Sequence, residues 1–111
     1  MARMVVIYKM PENPAAFDQH YFDVHVPMAK KIPGLRKYEV SRGDIVEVRR
    51  GEIVTRLGPP DTHRIGTLLF DDMAAIERAF ASPEGRACAL DVRTLAPGGD
   101  YQMFLFDDRE V

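Results

Sequence analysis

The chain has no tryptophan, a single cysteine (Cys88) and no long apolar run. A lone thiol closes no intramolecular disulfide and builds no thiolate metal site by itself, so a disulfide-stapled secreted fold has no support. The longest apolar run, Met4 to Tyr8, falls far short of the roughly 20 residues of a membrane helix and the about 7–15 of a signal-peptide core. Neither sign of charge dominates: 15 Lys+Arg stand against 17 Asp+Glu, for a net charge of −2. A nucleic-acid partner calls for a basic face, which this balance argues against. Internal repeats, low-complexity tracts and long linkers are also missing. The expectation is one domain spanning residues 1–111, in the cytoplasm, with no membrane and no nucleic acid among its partners.

What is present is a clean series of elements. Met4 to Tyr8 reads as a strand with apolar residues on both faces. Pro11 and Asn13-Pro14 end it, with Asn13 placed to cap a helix that starts at Pro14. Phe17, Tyr21, Val24, Met28 and Ile32 then recur at helical spacing and define one apolar stripe. Pro33-Gly34 stops that helix, and the alternation from Leu35 to Arg42 predicts a half-exposed strand. Residues 44–57 read as a protruding hairpin broken at Arg50-Gly51 and closed by Gly58-Pro59-Pro60. Arg64 to Phe70 is a further strand. Asp71 or Asp72 caps a helix through Phe80, Ser82-Pro83 starts another through Leu95, and Tyr101 to Phe106 is the last strand.

The order β-α-β-(hairpin)-β-α-β predicts an α+β, ferredoxin-like split βαβ domain: a four-stranded antiparallel sheet with a hairpin insertion. Helices on one face leave the other bare. Val5 and Ile7, Leu69, Phe104 and Phe106 nevertheless oppose equally apolar neighbours along their strands. A patch of that size exceeds what soluble monomers tolerate, so a two-fold homodimer that closes the bare face is expected. A monomer with the hairpin folded over that face is the competing arrangement.

The chemistry-bearing stretch is His20 to Pro27. At about 100° per residue, His25 falls roughly 60° from the centre of the apolar stripe and His20 about 80° away on the other side. Pro27 has no N–H for the carbonyl of Asp23 and disfavours helical geometry at Val26, so His25 is expected beside a kink. A partly buried imidazole there suits proton transfer near neutral pH; the plainer reading is a histidine that only bridges a loosened turn. His20 reads as a solvated flank, and His63 as structural or exposed in a loop. His20 and His25 are five apart and so do not share a face as an i, i+4 pair does; no dedicated metal site is expected. Tyr8 and Tyr38 lie on strands from which a phenol can donate to a developing oxyanion, or can simply form a wall. Cys88 reads as a small buried hydrophobe.

Taken together, His25-Val26-Pro27-Met28-Ala29, Lys31-Ile32-Pro33-Gly34-Leu35 and Tyr38 resemble the EthD family, small proteins named from a bacterial ethyl tert-butyl ether degradation cluster. Leu69-Phe70-Asp71-Asp72-Met73 and Ala81-Ser82-Pro83-Glu84-Gly85 are similar to its third strand and second helix, so the resemblance spans almost the whole chain. It implies a dimeric α+β barrel, a fold shared with muconolactone isomerases, polyketide cyclases and haem-handling monooxygenases. It also implies work without metal or organic cofactor, with the family's helix-1 histidine at His25 and an accompanying strand tyrosine at Tyr38. The hairpin at 44–57 does not align with the family. The expected activity is a cofactor-free isomerase, lyase or cyclase acting on a small hydrophobic, carbonyl-bearing molecule. His25 would move the proton, and Tyr38 or Tyr8 would steady the oxyanion. Phe17, Tyr21, Met28 and Phe70 would line the pocket between helix and sheet. The alternatives are a non-catalytic accessory protein that holds a hydrophobic intermediate for an oxidative pathway, and a haem-binding protein of the same superfamily.

Overall fold

The structure, a computed structural model, describes residues 1–54 and 61–111. Its elements are β1 (Ala2–Lys9), α1 (Pro14–His20), a π-helical turn (Tyr21–His25), α2 (Val26–Ala29), β2 (Lys37–Val40), β3 (Glu47–Arg49), β4 (Glu52–Val54), β5 (Thr62–Phe70), α3 (Met73–Ala81), α4 (Pro83–Leu95) and β6 (Tyr101–Asp107). Four strands form one antiparallel sheet in the order β2-β5-β1-β6, the ferredoxin-like arrangement the element order predicts. β3 and β4 pair separately as the hairpin. Its two-residue turn has positive φ at both Arg50 (51°) and Gly51 (78°), the twist that a tight hairpin needs. The expected hairpin residues 55–57 and the closing Gly58-Pro59-Pro60 lie outside the described residues.

The strand pleat sorts the core. Ala2, Met4, Val6 and Tyr8 of β1 stand opposite Phe70, Leu68, Gly66 and Arg64 of β5 and turn toward the helices. They pack there with Phe17, Tyr21, Ile76, Cys88, Val92 and Leu95. On the other face Val5, Ile7, Ile65 and Leu69 are only half-buried, and Phe104 and Phe106 on edge strand β6 are exposed. Among the described residues no helix is long and apolar enough to cross a membrane.

Helix caps fall where the sequence put them. Asn13 accepts from the Ala16 N–H, Asp72 (rather than Asp71) from Ala75 and Ser82 from Gly85, with Pro14 and Pro83 in the first turns.

The first helix corrects the expected stripe. Its buried residues are Phe17, Tyr21, His25, Ala29 and, just beyond, Ile32; Val24 is 42% exposed and Met28 only half-buried. On an ideal α-helix, four-residue steps drift by about 40° each, which would carry His25 and Ala29 off the face. The π turn takes up that drift by holding more residues per turn. The Val26 N–H reaches back five residues to the Tyr21 carbonyl. Pro27 is accommodated in this way without a break, and Val26 keeps helical angles (φ −60°, ψ −48°) rather than the extended ones expected before proline.

Candidate functional site

The π turn sets His25 on the inner face, where it is buried and stacked on Tyr21 (ring centroids 5.3 Å apart, planes at 28°). From α4, Asp91 reaches across with Oδ2 2.8 Å from His25 Nδ1. A carboxylate only accepts, so Nδ1 carries the proton and Nε2 keeps its lone pair in the neutral ring. Cys88, one turn before Asp91, places its thiol 3.7 Å from that Nε2. Burial holds His25 below the ordinary imidazole range, against the opposing pull of Asp91. Burial also pushes the Cys88 thiol up to about 11, so at neutral pH it is a weak donor to Nε2 and not a nucleophile.

His25 opens onto an apolar cavity of about 310 Å³ between the helices and the sheet, within the size range of small-molecule sites. Val6, Leu68, Ile76, Val92, Met103 and Leu105 supply apolar wall, and Glu77 is the charged side chain of the lining. Tyr8, Tyr21 and Tyr38 bring phenols to the same space. The Tyr21 and Tyr38 hydroxyls lie 2.5 Å apart, one donating to the other. This contact depends on Gly66, where an added Cβ would come within 2.9 Å of the Tyr21 hydroxyl. Burial raises all three phenols, Tyr21 to about 12, so each stays protonated and able to donate at neutral pH.

The structure thus brings together His25, Tyr8, Tyr38 and Tyr21 from the expected set. It does not bring the others. Phe17 lies in the core between Tyr8, Tyr21 and His63, Phe70 is fully buried against Phe80, and Met28 sits off the inner face; none of the three lines this cavity. His20 is not a solvated flank: its Nε2 lies 2.8 and 3.0 Å from the two oxygens of Asp91. Residues five apart share a face in a π turn, so the expectation that His20 and His25 point apart fails. His63 lies in β5 rather than a loop and is buried, donating to Asp18 at 2.8 Å. Asp91 was missed altogether. The available signal was its place between Cys88 and Val92 on the apolar side of an amphipathic helix, a costly position for an unpartnered carboxylate. Among the described residues no three His, Cys, Asp or Glu side chains are grouped to hold a metal ion.

Comparison with known proteins places this geometry. Residues 9–98 match the EthD domain family. The chain is 36% identical over 111 residues to an uncharacterized 11.0 kDa protein of the thcB-thcC intergenic region of Rhodococcus erythropolis, covering 100% of this chain and 97% of that one. An EthD family protein from Bacillus halodurans superposes with a TM-score of 0.81 at 28% identity, over 98% of this chain and 99% of the other. SnoaB, a cofactor-independent oxygenase from Streptomyces nogalater, superposes at 0.64 with 20% identity, over 99% and 94%, a likeness of fold.

Proposed function

The chain belongs to the EthD domain family, and on that premise we propose that it moves a proton on a small apolar, carbonyl-bearing molecule, as an isomerase, lyase or cyclase of a catabolic or polyketide-type pathway. One observation carries this reading: a buried imidazole with Nδ1 tied to a carboxylate lines an apolar cavity. His25 takes a proton from carbon next to the ligand carbonyl and returns it elsewhere. The Tyr38–Tyr21 pair, with Tyr8 beside it, donates to the oxygen on which charge develops. The apolar wall holds the ligand and keeps water out, which strengthens those hydrogen bonds. No coenzyme takes part in these steps.

A two-fold dimer belongs to the same proposal. Half-buried Val5, Ile7, Ile65 and Leu69, with exposed Phe104 and Phe106, make a face that a second copy would cover. Sedimentation equilibrium would give twice the mass of one chain; a monomer at micromolar concentration rejects the dimer. A cytoplasmic setting goes with this reading, since a lone cysteine closes no intramolecular disulfide.

The test of the chemistry is deuterium wash-in. A panel of apolar cyclic ketones and lactones in D₂O would exchange the hydrogens next to the carbonyl faster with protein present, and His25→Gln would abolish the acceleration while leaving binding intact. Binding without acceleration by the unaltered protein favours the accessory carrier instead. Oxygenation of the deprotonated ligand is a second reading, supported by the likeness to SnoaB; oxygen uptake with the same panel separates it.

A further inference from the structure

Two imidazoles share the one carboxylate of Asp91, and their surroundings differ. The side chain of His20 is 29% exposed and that of His25 only 5%. His20 lines a second cleft, with Lys9, Glu12, Asn13 and Asp100, whereas His25 lines the apolar cavity. Both oxygens of Asp91 lie within hydrogen-bond distance of His20 Nε2, and Oδ2 is shared with His25. Only the π turn permits this, because it sets residues 20 and 25 on one face toward α4.

We propose that His20 is a positioning residue of this site: it clamps Asp91 against His25, so that the buried ring keeps its proton on Nδ1 and its lone pair on Nε2. The proposal rests on reading His25 as the base. A single carboxylate compensates one imidazolium; a second positive ring bonded to it meets the first in a poorly screened setting. His20 donates from Nε2 to the oxygens of Asp91, which holds the carboxylate in place for the Nδ1–H of His25. His25 stays neutral, with Nε2 open to a proton from the ligand. The other titratable groups are Tyr8, Tyr21, Tyr38, Cys88 and Glu77 around the cavity and Lys9, Glu12 and Asp100 around the cleft; among the described residues Asp91 alone bonds both rings. A charged His20 acts on His25 in the same direction as burial does.

The experiment reads the rings and not turnover. Long-range ¹H–¹⁵N spectra of the intact protein, with no ligand added, follow both histidines through the acid range. Expected in the unaltered chain is that His25 stays neutral with its proton on Nδ1. His20→Gln keeps a hydrogen bond to Asp91 but not the charge. The midpoint of His25 then rises by about one pH unit, roughly tenfold in proton affinity. His20→Lys restores the charge and brings the midpoint back down. An unchanged His25 midpoint in His20→Gln overturns the proposal, as does a neutral His25 that carries its proton on Nε2 in the unaltered chain. Loss of wash-in activity in His25→Gln bears on the base alone, so the two results stand or fall separately.

Discussion

Asp18 and Asp91 each hold a buried histidine at 2.8 Å, yet only one of these pairs makes a candidate site. Asp18 on α1 accepts from His63 with one oxygen and from Arg64 with the other, at 2.9 Å, and so is matched by a permanent cation. The His63 ring stands edge-on to Phe17 and away from the apolar cavity. This cluster pins α1 to β5. Among the described residues Asp91 bonds no guanidinium; its partners are the two imidazoles of His20 and His25, and His25 lines the apolar cavity. The same pair is a strut when its charge is fixed and its ring is packed. It becomes a proton-transfer group when its charge can change and its ring meets a ligand. That contrast yields graded expectations.

The sharpest break is between the two histidines. His25→Gln is expected to lower wash-in activity by on the order of 10²–10⁴, the usual worth of a general base. His63→Gln should leave the rate per folded molecule within about threefold and show its effect in stability. Initial rates normalised to the folded fraction decide this, and equal losses would erase the distinction. The carboxylates come next. Asp91→Asn should cost on the order of tenfold to a hundredfold in rate, because the ring loses its orienting partner. Asp18→Asn should instead lower the urea midpoint by the equivalent of about 1–3 kcal/mol with the rate kept, as one hydrogen bond becomes unsatisfied.

Smaller effects refine the picture. Gly66→Ala drives a methyl into the Tyr21 hydroxyl, and Tyr21 is held by stacking on both Phe17 and His25. The expected cost is about 1–3 kcal/mol in denaturant midpoint, with the Tyr21–Tyr38 contact displaced. Because burial holds His25 below its unfolded value of about 6.5, the folded chain binds fewer protons than the unfolded one. Stability is then full above that pH and declines as pH falls through the folded value; His25→Gln should flatten the acid side of the curve. Least of all, Cys88→Ala should change the rate by less than about threefold, since a thiol raised to about 11 serves only as packing and weak donor at neutral pH.

Much of the fold was legible because its signals are local. Proline and a short polar side chain at 13–14 and 82–83 start helices whatever lies across the sheet. Alternation in β1 and β5 sorts inner from outer residues by the pleat alone. The site was legible only in part, through His25 and the strand tyrosines. A wheel at fixed pitch assigned Val24 and Met28 to the core, where the π turn puts His25 and Ala29. No local pattern announces a carboxylate that arrives from 66 residues away.

By itself, then, the sequence determined the order of elements, the sheet with one greasy surplus face and the histidine beside a proline. Those follow from backbone sterics and from the alternation of apolar side chains, which act over a few residues. Only the tertiary structure decided which face His25 takes, that His20 joins it on Asp91, and that three phenols converge on the space beside them. Charge compensation and packing act between groups far apart in the chain, and a helix adjusts its own pitch to satisfy them.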